Sequence, residues 1–421
     1  MRAFVLLLTL IAPAAAAAQR VAVLSPTTRP EDVGFSSVRL ARIDSLLEGL
    51  VARREIPGGV VLIARHGRIA YLKAFGYRDA ETRAPLRADD IFRIASQSKA
   101  ITSLAVMMLW EEGRFLLDDR VSRYLPAFAK PQVLTSFNAA DTTWVSEPAR
   151  GEVTIRHLLT HTSGLDYPAI GSRDFQAIYA KAGVPSGIGN DRDALASKMD
   201  VLGGLPLKHH PGERFTYGLN SDVLGYLVEV ISGQSFAEFL RTRIFEPLGM
   251  HDTWFYLPVD KHQRLVTLHD GESGTVVPMR AKPFDDVDPD YPRLRGTYFS
   301  GGAGLSSTVE DYARFLQLFL NGGEYDGVRL LSRKTVELML TDQLPTLPTE
   351  FGLGFGLETP ANDHQSPLSM GSFSWGGAFT TTYWADPTED LIGVMYTNIY
   401  NTAHRNLGDR FKVLTYQAII D

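Results

Sequence analysis

Residues 101–110 contain no charge, no glycine and no proline. A run of that length is too long for one strand and is built from helix formers. Residues 95–112 therefore predict a helix buried on most of its sides. Other elements must pack around it, and that requirement limits what the chain can fold into. The flanking pattern says what those elements are. Ser37–Ala52 sets Leu40, Ile43, Leu46, Leu47 and Leu50 at helical spacing, and Ile56-Pro57-Gly58-Gly59 ends it. Residues 60–64 and 69–75 read as two strands joined by His66-Gly67, a hairpin signal.

From residue 117 to about 292 the pattern is mostly helical between long loops with proline and glycine. The better helices there are expected over 221–230 and 236–244. Residues 286–290 read as an acidic, solvated connection. Residues 309–320 predict a helix. Strand-like segments follow around 352–357, 379–384 and 391–396, then a last helix over 406–419. Strands near both ends must share one sheet to bury a face. The expected class is α+β: an antiparallel sheet flanked by helices, with an inserted all-helical domain. In residue terms this is a discontinuous α/β domain over 22–95 plus 295–421, and a helical domain over 96–294. A cleft between the two parts is the natural place for a site.

Composition narrows the function. The formal net charge of −6 gives no basic footprint for nucleic acid. With no cysteine, disulfides and thiol nucleophiles are excluded. At the N-terminus Arg2, the apolar residues 4–11 and the small residues 14–18 have the layout of a secretory signal. The segment 1–18 is expected to be removed and the protein exported, periplasmic or secreted. The apolar stretch is shorter than the roughly 20 residues a spanning helix needs. No later segment is apolar enough to span a bilayer, so no integral membrane segment is expected afterwards.

Ser96-Gln97-Ser98-Lys99 opens the buried helix, and no other lysine has a serine three positions before it. Residues three apart on a helix share a face. A serine hydroxyl becomes a nucleophile when a neighbouring base takes its proton. A lysine serves as that base when burial or another cation lowers its pKa. The helix N-terminus adds N–H groups that favour developing negative charge. The pair alone is a weak motif, but its surroundings are specific. They include Ile91-Phe92-Arg93-Ile94-Ala95-Ser96-Gln97-Ser98-Lys99 and Thr154-Ile155-Arg156-His157-Leu158-Leu159-Thr160-His161-Thr162-Ser163-Gly164-Leu165. Glu246-Pro247-Leu248-Gly249-Met250 and Gly304-Leu305-Ser306-Ser307-Thr308 follow in order.

Together these blocks resemble the serine β-lactamase and penicillin-binding-protein superfamily, in its class C-like branch, from about residue 58 to 398. The resemblance implies a tyrosine that hydrogen-bonds the serine–lysine pair and passes the proton to the leaving group. Tyr217, in Phe215-Thr216-Tyr217-Gly218-Leu219-Asn220, fits that place. Leu219 stands where an asparagine is common, and Asn220 comes one later. Tyr396-Thr397-Asn398 is a rival match but follows the third motif instead of preceding it. That third motif is usually Lys or His, then Thr, Ser or Gly, then Gly, on an edge strand beside the serine. Its place here is Trp375-Gly376-Gly377-Ala378. The resemblance makes the N–H groups of Ser96 and Ala378 the oxyanion hole, with Trp375, Gly376 and Gly377 beside the substrate.

Trp375 replaces a cation that attracts the carboxylate of penicillins and D-Ala peptides. Trp375-Gly376-Gly377 is similar to the family VIII carboxylesterases and related acyltransferases. The expectation is a serine hydrolase with Ser96, Lys99 and Tyr217 catalytic, forming an acyl-enzyme with small esters. Neither cofactor nor metal is required. The alternatives are a class C-like β-lactamase or D-Ala-D-Ala carboxypeptidase on a β-lactam-like or peptide substrate, and a non-catalytic penicillin-type sensor. His157 and His161, four apart, could face one metal, but both sit in a block that carries none in this superfamily. His209 and His210 are expected at the surface. Ser221-Asp222 recurs in class A lactamases before an asparagine, but here Val223 follows. There is no Gly-x-Ser-x-Gly, so a nucleophile elbow is not supported.

Overall fold

A computed structural model describes residues 21–27, 29–188, 190, 192–280 and 287–421. The expected signal segment and Asp286 of the acidic stretch lie outside the described residues. Helix α1 (Ser37–Ala52) starts where the Arg39 N–H donates to Ser36 Oγ, and it buries Leu40, Ile43, Leu47 and Leu50. Strands β1 (Gly58–Arg65) and β2 (Arg68–Asp79) then pair antiparallel. His66 and Gly67 carry φ of 53° and 69°. Two left-handed residues make the tight turn whose twist matches the flanking strands. Helix α2 (Ser98–Glu111) is the predicted apolar helix, preceded by one 3-10 turn, Ala95–Gln97. Every residue from Ser98 to Leu109 on it is buried.

The inserted region is mainly helical, with α3 (Asn220–Ser232) its longest helix packed on α2. It is not all-helical. Strands β3 (Gln132–Asn138) and β4 (Thr143–Pro148) form an antiparallel hairpin within it. Val133 is its one buried residue. A hairpin with so little apolar alternation leaves almost no period-two signal, which is why the sequence reading passed over it.

The chain returns through α4 (Val309–Leu320), whose N-terminus is capped by Thr308, to β5 (Phe373–Gly377), β6 (Thr381–Asp386) and β7 (Leu391–Tyr396). Helix α5 (Leu407–Tyr416) closes it. The principal sheet runs β2-β1-β7-β6-β5, with short strands at Ser25–Pro26 and Gly356–Leu357 beyond its two ends. Strands from both ends of the chain thus share one sheet, as expected. The strand expected over 352–357 shrinks to Gly356–Leu357. Strand β5 was placed by motif alone, because its glycines give no hydrophobic alternation.

Strand β1 is buried along its whole length between β2 and β7. Val60, Leu62 and Ala64 join the core shared with α2 and α4. Val61 and Ile63 join the core under α1 and α5. That alternation is the period of two of a strand covered on both faces. The first core continues without a break into the helical region through Ile101, Leu104, Val223 and Leu227.

Leu104 has no exposed surface. Truncating Leu104→Ala is expected to cost about 2–5 kcal/mol, the range for a buried leucine whose site collapses only partly. Denaturant unfolding should show a lowered midpoint at an unchanged slope.

Candidate active site

The serine is aimed by a clamp on the residues before it. Phe92–Arg93 pairs antiparallel with Ser306–Ser307, and the Ile94 N–H donates to Leu305 O at 3.0 Å. Ala95 then adopts left-handed backbone, φ 45°. That conformation is uncommon for a residue with a side chain and persists only where the surroundings hold it. Here Ser98 Oγ donates to Ala95 O at 2.7 Å and accepts from the Leu305 N–H at 3.1 Å. The Tyr312 hydroxyl donates to Gln97 O at 3.0 Å, and the Tyr396 hydroxyl donates to Gln97 Oε1 at 2.8 Å. Ser96 is the one residue of this turn that lines the cavity described below.

Lys99 lies one turn along and is 3% exposed. Its Nζ is 3.3 Å from Ser96 Oγ, 2.9 Å from Tyr167 Oη and 2.7 Å from Gly302 O. The Tyr217 ring lies across it, with Nζ 4.5 Å from the centroid. The carbonyl of Gly302 can only accept, so it takes one N–H. The Tyr167 phenol takes another. The remaining position on Nζ faces the serine hydroxyl, as a base accepting the serine proton requires.

Tyr167 was not anticipated. It stands two residues beyond the matching block, alone in a loop, where no spacing marks it. Burial, with Tyr217 and Asp222 nearby, pushes its phenol well above the ordinary value. The phenol therefore stays protonated and orients Lys99, leaving the serine proton to the amine. Tyr217 stacks near His161 and Trp375, with centroid separations of 4.9 Å and 5.8 Å. Trp375 Nε1 donates to Tyr217 Oη at 3.4 Å. The indole in the cation's place thus packs on the tyrosine of the second motif.

Gly377 has a steric reason. A Cβ there would lie 2.4 Å from Ile94 O and 2.3 Å from Thr381 Oγ1. Only glycine lets β5 press against the serine turn. Ser96, Tyr167, Gly376, Gly377 and Ala378 line one cavity of about 500 Å³. The two residues expected to supply oxyanion N–H groups are thus brought to the same space.

Other candidates resolve into supporting roles. His157 Nδ1 accepts the Thr154 N–H at 3.2 Å, closing a helix cap. His161 is fully enclosed, and burial followed by the charge of Lys99 holds it well below its usual pKa. Its Nδ1 accepts from Asn220 Nδ2 at 3.0 Å, so the displaced asparagine braces the site from behind. His209 and His210, expected at the surface, are both buried. His209 Nε2 meets Thr216 Oγ1 at 2.8 Å and anchors the loop that carries Tyr217. Tyr396 lies within β7 with its hydroxyl committed to Gln97, so of the two motif matches Tyr217 is the one beside Lys99; it meets the amine with its ring, and the phenol that takes a Lys99 N–H is that of Tyr167. The acidic stretch is not simply solvated: Pro289 O accepts from the buried Arg93 guanidinium, and Asp290 is 3.6 Å from it.

Comparison with known proteins gives a consistent picture. The model of the beta-lactamase family matches residues 43–417. Esterase EstB of Burkholderia gladioli is 31% identical over 90% of this chain and 94% of its own length. Lovastatin esterase of Penicillium rubens is 30% identical over 84% of this chain and 91% of its own length. Among solved structures, EstCE1, described as a hydrolase with promiscuous acyltransferase activity, superposes with a TM-score of 0.79. It is 27% identical and covers 90% of this chain and 99% of its own.

Tyr167→Phe removes the acceptor for one Lys99 N–H and leaves it unpaired in a buried site. The expected cost is about 1–3 kcal/mol, roughly a 10- to 100-fold fall in kcat for ester hydrolysis with KM held. Steady-state kinetics of the purified variant checks it. An unchanged kcat would remove Tyr167 from the site.

Proposed function

Because the chain belongs to the beta-lactamase family and is a serine hydrolase of esterase-like kind, we propose that it is an exported carboxylesterase working through an acyl-enzyme on Ser96. The observation that carries this reading is the approach of Lys99 Nζ to Ser96 Oγ at 3.3 Å beside the cavity. Ser96 Oγ attacks the ester carbonyl carbon while Lys99 takes its proton. The carbonyl oxygen gathers charge between the Ser96 and Ala378 N–H groups, where fixed donors contribute several kcal/mol. As the tetrahedral species collapses, Tyr217, lying against Lys99, helps return the proton to the departing alcohol. Water then attacks the acyl-enzyme and frees the acid.

Trp375 supports an ester over a β-lactam. An indole offers no charge to a carboxylate, and this one packs on Tyr217 and Phe351. One observation favours the class C-like β-lactamase or carboxypeptidase reading: Arg405 lies on the cavity lining and supplies a cation from another direction. Pure binding would not need Ser96, Lys99 and Tyr217 together, which speaks against a non-catalytic sensor. Among the described residues no single helix is long and apolar enough to cross a membrane. Export rests on the layout of residues 1–18, and the mass of the mature N-terminus recovered from a periplasmic or medium fraction tests it.

The enzyme is expected to hydrolyse a short-chain nitrophenyl ester and to leave a chromogenic cephalosporin intact. Ser96→Ala should abolish ester turnover, a loss of about 10⁴-fold or more. Cephalosporin turnover without ester turnover would reverse the assignment, and stable acylation without turnover would indicate the sensor.

A further inference from the structure

Asp222 is fully buried on α3, beside the machinery described above, and has no role in it so far. The Ser300 hydroxyl and the Gly302 N–H lie beside its carboxylate, but neither is in hydrogen-bond geometry, and Ser300 Oγ gives its hydrogen to Gly187 O. A carboxylate sealed in a core with so little compensation is costly and calls for a function.

The glycines around Asp222 place it. A Cβ on Gly302 would lie 2.6 Å from Asp222 Oδ2 and 3.0 Å from Tyr167 Oη. The carboxylate and the phenol therefore flank the same residue, and the carbonyl of that residue accepts from Lys99 Nζ. A Cβ on Gly187 would lie 3.5 Å from Oδ2 and 3.7 Å from Oδ1. Asp222 is thus boxed between two glycines, and one of them, Gly302, carries the carbonyl that takes a Lys99 N–H. Lys99 is the cation acting on it from α2. Tyr217 and Tyr298 lie near Tyr167 in the same cluster, and the charge of Lys99 also acts on His161.

We propose that Asp222 is a positioning residue for Lys99, its carboxylate being the counter-charge for the ammonium that forms when Lys99 takes the Ser96 proton. The inference rests on the serine-hydrolase reading above and adds a part to it. In the acylation step the Ser96 O–H bond breaks, its proton goes to Lys99 Nζ, and the Oγ–acyl carbon bond forms. The carbonyl π electrons move to the oxygen held by the N–H pair. The amine goes from neutral to cationic in an enclosed site, and a fixed anion behind it stabilises that change more than it stabilises the resting state. Tyr167, protonated, takes one Lys99 N–H and keeps the amine directed at the serine. The carboxylate acts only when ionised, and burial pushes its pKa up to about 6 against the Ser300 hydroxyl and the attraction of Lys99. Activity should therefore rise with pH through about 6.

The test is Asp222→Asn, which keeps shape and removes the charge, read on the pH profile of the whole chain. Two readouts are taken: kcat for a nitrophenyl ester, and the rate at which an alkyl fluorophosphonate labels Ser96 with loss of fluoride. The expected result is a fall of about 10- to 100-fold in kcat and in labelling rate at pH 8, with KM changed less than about 2-fold. The acidic limb near pH 6, present in the wild type, should be lost from the variant. Charging a carboxyl whose folded-state pKa is raised costs stability above that pKa. The variant should therefore hold or gain Tm at pH 8, which separates lost chemistry from lost fold. A wild-type profile that is flat through pH 6 overturns the proposal without any variant. So does a variant that keeps wild-type rates, or one that keeps the acidic limb. If the ester is not hydrolysed but Ser96 is labelled, the esterase reading fails and the labelling profile still decides the role of Asp222. If Ser96 is neither labelled nor turns over ester, both fall.

Discussion

The position of one nitrogen organises this molecule. Lys99 Nζ joins the carbonyl of Gly302, the phenol of Tyr167 and the hydroxyl of Ser96, three groups on three separated stretches of chain. The contacts to Gly302 and Tyr167 require α2 to be packed between the sheet and α3, whereas the Ser96 contact is local to one turn. That packing explains the absence of charge in residues 101–110: the helix has no solvent face to give away. The same segment stabilises the fold by burial and holds the reactive pair, so core and site are one structure. A second contact, from Thr102 Oγ1 to Gly301 O at 2.7 Å, ties the 300–304 loop to the helix one turn below.

The machinery is held from its far side as much as from the cavity. His161, Asn220, His209 and Thr216 make a layer behind Tyr217, and Gln97 receives two tyrosine hydroxyls beneath the serine turn. Functional groups hold productive geometry when supporting residues lock their rotamers. The strained Ala95 fits this scheme. A left-handed alanine is tolerated because backbone and side-chain hydrogen bonds fix both the residues before it and those after it.

The frame was legible in the sequence to the extent that hydrophobic period reports on it. Helix Ser37–Ala52, the hairpin at His66-Gly67, helix Val309–Leu320 and strand Leu391–Tyr396 all buried clear apolar faces, and each appears where the pattern put it. The hairpin Gln132–Pro148 did not register, since it presents one buried residue to the core. Strand Phe373–Gly377 was readable only as a motif, because its glycines serve a close backbone approach and not a core. Within the site, Ser96 and Lys99 carry a spacing that one helix face imposes. Tyr167 and Asp222 carry none. They reach the lysine through a loop and a separate helix, so their proximity exists only in the fold. The two adjacent histidines misled for a related reason: polarity alone suggested the surface, whereas hydrogen bonds to His210 O and Thr216 satisfy His209 in the interior.

Trp375 shows how such a frame can change its target without changing its chemistry. In the proposed mechanism the serine, the lysine and the paired N–H positions act on an acyl carbon whatever is attached to it. Selection falls to whatever faces the rest of the substrate. At the place where the superfamily resemblance leads one to expect a cation, this chain puts an indole, and the indole is absorbed into an aromatic cluster with Tyr217, Phe351 and Phe215. The Tyr217 ring of that cluster lies over Lys99, which is 3% exposed, and charge interactions are stronger where water is kept out. Replacing the cation removes attraction for an anionic substrate. An amine shut away from solvent needs something other than water to stabilise the positive charge it acquires, and the proposed counter-charge is the buried carboxylate beside Gly302.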